Sequence, residues 1–265
     1  MTKLKQICEF LDQFAPTSLA EDWDNVGLLV GDDSAEVKKV MTCLTVTPAS
    51  AAEAIAMNAG LIVSHHPLPF RAIKKITANK TPTRLLWQLV QNSVAIYSPH
   101  TGFDSAAGGI NQSVCDLLGV QDAKPLVPLV RSVGEEQGVG AGRFGNVPET
   151  SITGFLELVK TKFGLDQVRF VGRPDAKVSK VGSACGSGGS FLQAAIDAGC
   201  DTFVTGETDF HTCLEAESRD VSLVLLGHYA SERFAIEMLA ERLAENFPNL
   251  QIWASKKESD PINWT

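Results

Sequence analysis

The sequence predicts an α/β fold built on largely parallel sheets. Short apolar runs alternate with amphipathic helical stretches along the whole chain, the pattern of strands joined by crossover helices. The residues richest in chemistry fall directly after those runs, at the strand ends where open α/β sheets place their ligands.

Taken in order, MTKLKQICEFLDQFAP opens the chain as a short amphipathic helix, followed by strand patterns at 26–31 (VGLLVG) and 37–46 (VKKVMTCLTV). Residues 47–60 read as a helix with Thr47 as N-cap, Pro48 at the first helical position and Gly60 just past the end. Strands at 61–65 and 94–98 and helices at 81–92 and 111–119 complete the first half. Residues 123–145 are rich in proline and glycine and read as a connector, because proline removes backbone donors and glycine weakens regular structure. This places a boundary near residue 127, with domains at 1–127 and 128–265. Helices at 150–164, 191–199 and 230–247 and strands at 168–172, 178–185, 202–206, 221–227 and 250–255 fill the second half.

A formal net charge of −8 repels phosphate backbones, and the sequence shows no Lys/Arg-rich block, so nucleic acid is not the expected partner. No apolar stretch approaches the roughly 18 residues of a membrane span, and the N-terminus lacks the layout of a secretory signal. The expected location is the cytoplasm. Six cysteines are scattered without a C-x-x-C pair, which suits reduced, mostly buried thiols.

SHHPLPF (64–70) puts two histidines after the apolar run GLIV. Successive strand residues face opposite ways, so His65 and His66 serve one ligand only where the strand loses its regularity, and Pro67 ends it there. PHTGFD (99–104) adds His100 and Asp104 after a second strand, where a plain turn with Asp104 capping a helix is the competing reading. GHYASE (227–232) places His228 and Glu232 four apart on one helix face. His65, His66, Asp104, His228 and Glu232 make five mixed nitrogen and oxygen donors, more than the three usual at one catalytic zinc. They suit two divalent ions such as Zn, Fe, Mn, Ni or Co. In VTGETDFH (204–211), Glu207, Asp209 and His211 are candidates for a supporting shell or for acid/base work. GSACGSGGS (182–190) is glycine-rich but lacks the lysine of a phosphate loop, and an ordinary tight β–α turn is the simpler reading.

EDWDNVGLLVG (21–31), SHHPLPF, PHTGFDSAAGGIN, GRFG (142–145), ACGSGGSFLQAAIDAGCDTFVTGE (184–207) and GHYASE together resemble the NGG-one-interacting-factor-three-like proteins, many of which carry the label GTP cyclohydrolase I type 2 homolog. The resemblance implies two interlocked three-layer α/β/α domains with a dinuclear metal site between them. The first domain would supply His65, His66 and Asp104, and the second His228 and Glu232. It also implies a homohexamer and a metal-dependent hydrolase of a purine nucleotide, opening GTP at C8 with Glu207, His211 or His100 moving protons. The sequence departs from the family at Thr45, where an aspartate is common. The ligand set alone equally admits a phosphoester or amide hydrolase, or a metal-binding, metal-delivery or adaptor protein without turnover.

Overall fold

The computed structural model describes residues 2–129 and 138–263. Two compact units form, one running to Phe103 and resuming at Ala235, the other spanning Asp104–Phe234. The first unit contains β1 (Thr2–Lys3), α1 (Leu4–Phe14), β2 (Gly27–Val30), β3 (Glu36–Val37), β4 (Lys39–Cys43), α2 (Pro48–Ala56), β5 (Leu61–Ser64), α3 (Thr81–Gln91) and β6 (Ala95–Ser98), after which α4 (His100–Ser105) leads out of it. Its five-stranded sheet has the order β15-β4-β5-β6-β2, where β15 (Gln251–Ala254) is the chain's last strand. All neighbours are parallel except β2.

Strand alternation builds three layers here. Met41, Cys43, Ile62 and Ile96 pack with the buried faces of α2 and α3. On the other face, the Thr42 hydroxyl donates to the Ile236 carbonyl at 2.9 Å, and Phe10 meets Phe247 edge-on. The expected cap on α2 is present: Ser50 N–H donates to Thr47 Oγ1 at 3.1 Å, and Thr47 N–H donates to Ser50 Oγ at 2.8 Å.

In the second unit come α5 (Ile110–Leu118), β7 (Gln121–Lys124), β8 (Val127–Pro128), β9 (Gly140–Ala141), β10 (Arg143–Ser151), α6 (Ile152–Phe163), β11 (Arg169–Val171), β12 (Lys177–Ala184), α7 (Leu192–Asp197), β13 (Thr202–Thr205), α8 (Phe210–Ser218) and β14 (Ser222–Leu225). α9 (His228–Asn246) starts there and ends among first-unit residues. The six-stranded sheet has the order β11-β14-β13-β12-β10-β7, parallel from β12 through β14 and antiparallel elsewhere. Val181, Val204 and Val224 face α5 and α6, while Phe203, Leu223 and Leu225 face the α7 and α8 side.

Residue 127, expected near a domain boundary, lies inside this second unit. Part of the expected connector, residues 130–137, falls outside the described residues, but its flanks are sheet. β10 pairs with β12 on one side and β7 on the other. Its breakers have structural uses: Pro148 sits where the β10–β12 register shifts, the place a sheet tolerates proline. The organising residue is Arg143, which is fully buried. Its guanidinium donates to the carbonyls of Gly140 (2.6 Å), Gly142 (2.7 Å), Ala106 (2.8 Å) and Gly138 (3.0 Å). Among the described residues no helix is long and apolar enough to cross a membrane, and all six cysteines are free.

Candidate metal centre

In the first unit the strand ladder runs past β5. His65 N–H donates to the Cys43 carbonyl at 3.0 Å and His66 N–H to the Leu44 carbonyl at 2.8 Å. The two rings nevertheless gather, with centroids 5.0 Å apart. His100, which opens α4, completes a triangle at 5.1 Å from His65 and 5.6 Å from His66. Each imidazole offers a nitrogen, and those nitrogens lie within 4.8 Å of one another. His65 is buried, with 1% exposure. Three convergent imidazoles in such a setting fit a divalent cation. His100, a candidate for proton transfer from the sequence, is thus grouped with the candidate ligands.

The His66 and His100 rings are held from behind, as ligating imidazoles usually are. Thr45 Oγ1 lies 2.7 Å from His66 Nδ1, leaving Nε2 for a ligand. Thr45 thereby acquires a role: a hydroxyl orients His66. The turn carrying Thr45 is fixed by Glu258, whose carboxylate accepts from Leu44 N–H at 2.8 Å and Thr45 N–H at 2.6 Å. Asp24 holds His100, with Oδ1 2.7 Å from Nδ1, and also accepts from the Thr101 hydroxyl at 2.5 Å. Burial works against the charged form of Asp24, but the bonds from His100 and Thr101 prevail and bring its pKa down to about 2. The carboxylate is therefore charged throughout the neutral range. Its position in the segment EDWDNVG, beside an exposed tryptophan, was the available signal for Asp24; Glu258 had none.

In the second unit, His228 opens α9 and Glu232 follows one turn later, with Oε2 3.2 Å from His228 Nε2. Glu207, just beyond β13, approaches the other ring nitrogen, its Oε1 2.9 Å from Nδ1. Glu232 first, and Glu207 with it, raise the His228 pKa to about 9 against the opposing effect of burial. At neutral pH the ring is protonated between two carboxylates, and a cation binding at Nε2 displaces that proton. Asp104 accepts from the Cys185 thiol at 3.3 Å. Burial, reinforced by the Asp104 and Glu232 carboxylates, pushes the Cys185 thiol well above its ordinary value, so it acts as a donor rather than a thiolate. His211 is exposed at the start of α8, its ring against Phe210, and joins no metal-compatible cluster among the described residues. Asp209 caps α8 through Thr212 N–H at 2.9 Å.

The glycine-rich segment 182–190 makes a tight turn in which Gly186 N–H donates to Ser231 Oγ (3.0 Å) and Gly188 N–H to Thr205 Oγ1 (3.1 Å). Gly186 has φ +60°, and a Cβ there would lie 2.2 Å from Glu232 Oε1. Gly186→Ala is therefore expected to displace the Glu232 carboxylate and lower metal content by elemental analysis. Gly119→Ala supplies the control: φ is +70° with nothing within 4 Å of its Cβ, so it should cost only about 1 kcal/mol of stability and keep its metal. Equal metal content in the two variants would count against a role for Glu232.

Comparison with known proteins gives a consistent picture. A family model described as Duf34/NIF3 (NGG1p interacting factor 3) matches residues 2–261. A Clostridium acetobutylicum protein named GTP cyclohydrolase 1 type 2 homolog is 32% identical, covering 99% of this chain and 98% of its own. NIF3-like protein 1 of Drosophila melanogaster is 31% identical, covering 98% of this chain and 88% of its own. The crystal structure of Staphylococcus aureus protein SA1388 superposes with a TM-score of 0.89 at 26% identity, covering 100% of this chain and 99% of its own.

Proposed function

Since the chain belongs to the Duf34/NIF3 (NGG1p interacting factor 3) family, we propose that it is a dinuclear metal protein that hydrolyses a purine nucleotide. The observation that carries the metal reading is the gathering of His65 and His66 beyond β5, their ring centroids 5.0 Å apart, with His100 beside them at 5.1 and 5.6 Å. We assign His65, His66, Asp104, His228 and Glu232 as ligands of two ions, since five mixed donors exceed the needs of one catalytic zinc. The donor set admits Zn, Fe, Mn, Ni or Co. The nucleotide reading is supported by the name of the Clostridium relative.

A bound divalent ion supplies Lewis acidity and makes a neighbouring water more acidic. The chain's own residues do the rest. Asp24 fixes the proton of His100 on Nδ1, which leaves Nε2 to take or give one during ring opening. Thr45 and Glu207 aim His66 and His228 by the same device. We assign His100 rather than exposed His211 to proton transfer, and Glu207 to positioning. The proposal includes a cytoplasmic homo-oligomer, a hexamer on the family resemblance.

Protein purified without an affinity tag is expected to carry two metal equivalents per chain and to consume GTP with release of formate, an activity lost on chelation. Two equivalents without turnover of GTP, phosphoesters or amides would replace the enzyme reading with metal binding or delivery. Absence of bound metal would overturn both. A monomer mass in light scattering would remove the oligomer.

A further inference from the structure

The first unit contains a cleft of about 1030 Å³ lined by the turn after β4 and by the segment from His66 to α3. His66 and its hydrogen-bond partner Thr45 both line it, so it opens onto a candidate metal ligand. Arg71, Lys74, Lys75 and Lys80 line it as well. All four are exposed, and among the described residues none has an ion-pair partner. No carboxylate lines the cleft, and the sequence has no Asp or Glu between Glu53 and Asp104. In a chain of net charge −8 this is a local reversal of sign. The cations are spread through the segment 71–80, with only Lys74 and Lys75 adjacent, so no dense basic block marks them.

The rest of the lining mixes apolar residues, Leu68, Ile73 and Leu85 among them, with neutral polar ones such as Thr77 and Asn79. Phe70 is 47% exposed and Trp23 is 62% exposed. Their ring centroids are 6.0 Å apart, and His100 lies 6.1 Å from Trp23 and 6.2 Å from Phe70. Two adjacent exposed aromatics are costly to leave in water and are the usual platform for a flat heterocycle. The volume is at the upper end of the roughly 300–1,000 Å³ range of small-molecule sites.

We propose that this cleft binds a nucleoside phosphate, with the phosphates on the Arg71, Lys74, Lys75 and Lys80 side and the base against Phe70 and Trp23, beside His66 and His100. The proposal rests on the hydrolase reading above and supplies the phosphate site that the glycine-rich turn at 182–190 does not. Cations without carboxylate partners interact with phosphate at full charge, and local fields of this kind draw anions to the cleft against the overall charge.

The test is calorimetric titration of the full-length chain with GTP, guanosine and inorganic triphosphate, each before and after chelation, together with metal analysis. Lys74→Ala/Lys75→Ala is expected to weaken GTP binding about 10- to 100-fold, from two lost charge-assisted contacts. It should leave guanosine binding and metal content unchanged, and Trp23→Ala should weaken both GTP and guanosine. Wild-type GTP affinity in the lysine variant overturns the site, as does binding of guanosine as tight as that of GTP. Failure of wild-type protein to bind GTP, with capture of single-stranded RNA or anionic vesicles through the same lysines, overturns it too. The two readings fail separately. GTP binding that survives chelation and needs the lysines, without turnover, keeps the cleft and removes the hydrolase. Turnover with unchanged kcat/KM in the lysine variant keeps the hydrolase and removes the cleft.

Discussion

Glu232→Gln is expected to lose at least one metal equivalent while remaining folded. Glu232 is 3% exposed and sits one turn beyond His228 on α9, its Oε2 3.2 Å from His228 Nε2. Glutamine keeps the shape and a carbonyl oxygen but removes a negative charge. At the proposed two-ion site that charge would offset cation–cation repulsion, and low local dielectric magnifies the loss. Metal affinity should fall by more than about 100-fold, beyond the 10- to 100-fold typical of changes in supporting residues. Glu207→Gln, which alters the residue behind His228, should fall within that smaller range. Exposed Glu241→Gln, farther along α9, should change nothing. Calorimetry of apo protein with Zn or Mn reads all three, and wild-type affinity in Glu232→Gln would remove this residue from the ligand set.

Arg143→Lys should destabilise the second unit although charge is preserved. The guanidinium spreads its donors over several carbonyls, from Gly140 at 2.6 Å to Gly138 at 3.0 Å, and reaches Gln112 Oε1 at 3.3 Å. It has no carboxylate partner among the described residues, and burial pushes its pKa down. An ammonium has three donors on one atom and cannot reproduce the planar fork. Two carbonyls left without donors at about 1–3 kcal/mol each give a loss of about 3 kcal/mol, or a Tm lower by about 6–12 °C for a chain of this size. Hydrogen exchange should show the opening concentrated in residues 104–234. A Tm within a degree of wild type would show that Arg143 does not organise the loop and sheet around it.

The strand and helix pattern was readable because it rests on local rules. Val40 to Cys43 alternate between two packed faces, and Thr47–Pro48 caps α2 as its residue types require. The breakers misled at the start of β10, where Gly145 closed a stretch read as a connector. Gly145 is there because a Cβ would lie 2.4 Å from the Gln121 carbonyl, a long-range fact that glycine alone does not disclose. α4 and α8 were missed because their patterns are weak: α8 buries only Ala216 among its nine residues, and α4 is six residues with a glycine inside it.

The sequence by itself determined where the candidate residues stand, since His65, His66, His100 and His228 follow apolar runs and a strand end is recognisable from local order alone. Only the tertiary structure decided their companions. Asp24 reaches His100 across 76 residues, Thr45 reaches His66 across 21, and Glu258 reaches the Thr45 turn across 213. The four cations of the cleft likewise meet only when the segment after His66 folds back against the β4–α2 turn. A hydrogen bond or a local field depends on distance in space, and chain separation fixes that distance only within an element.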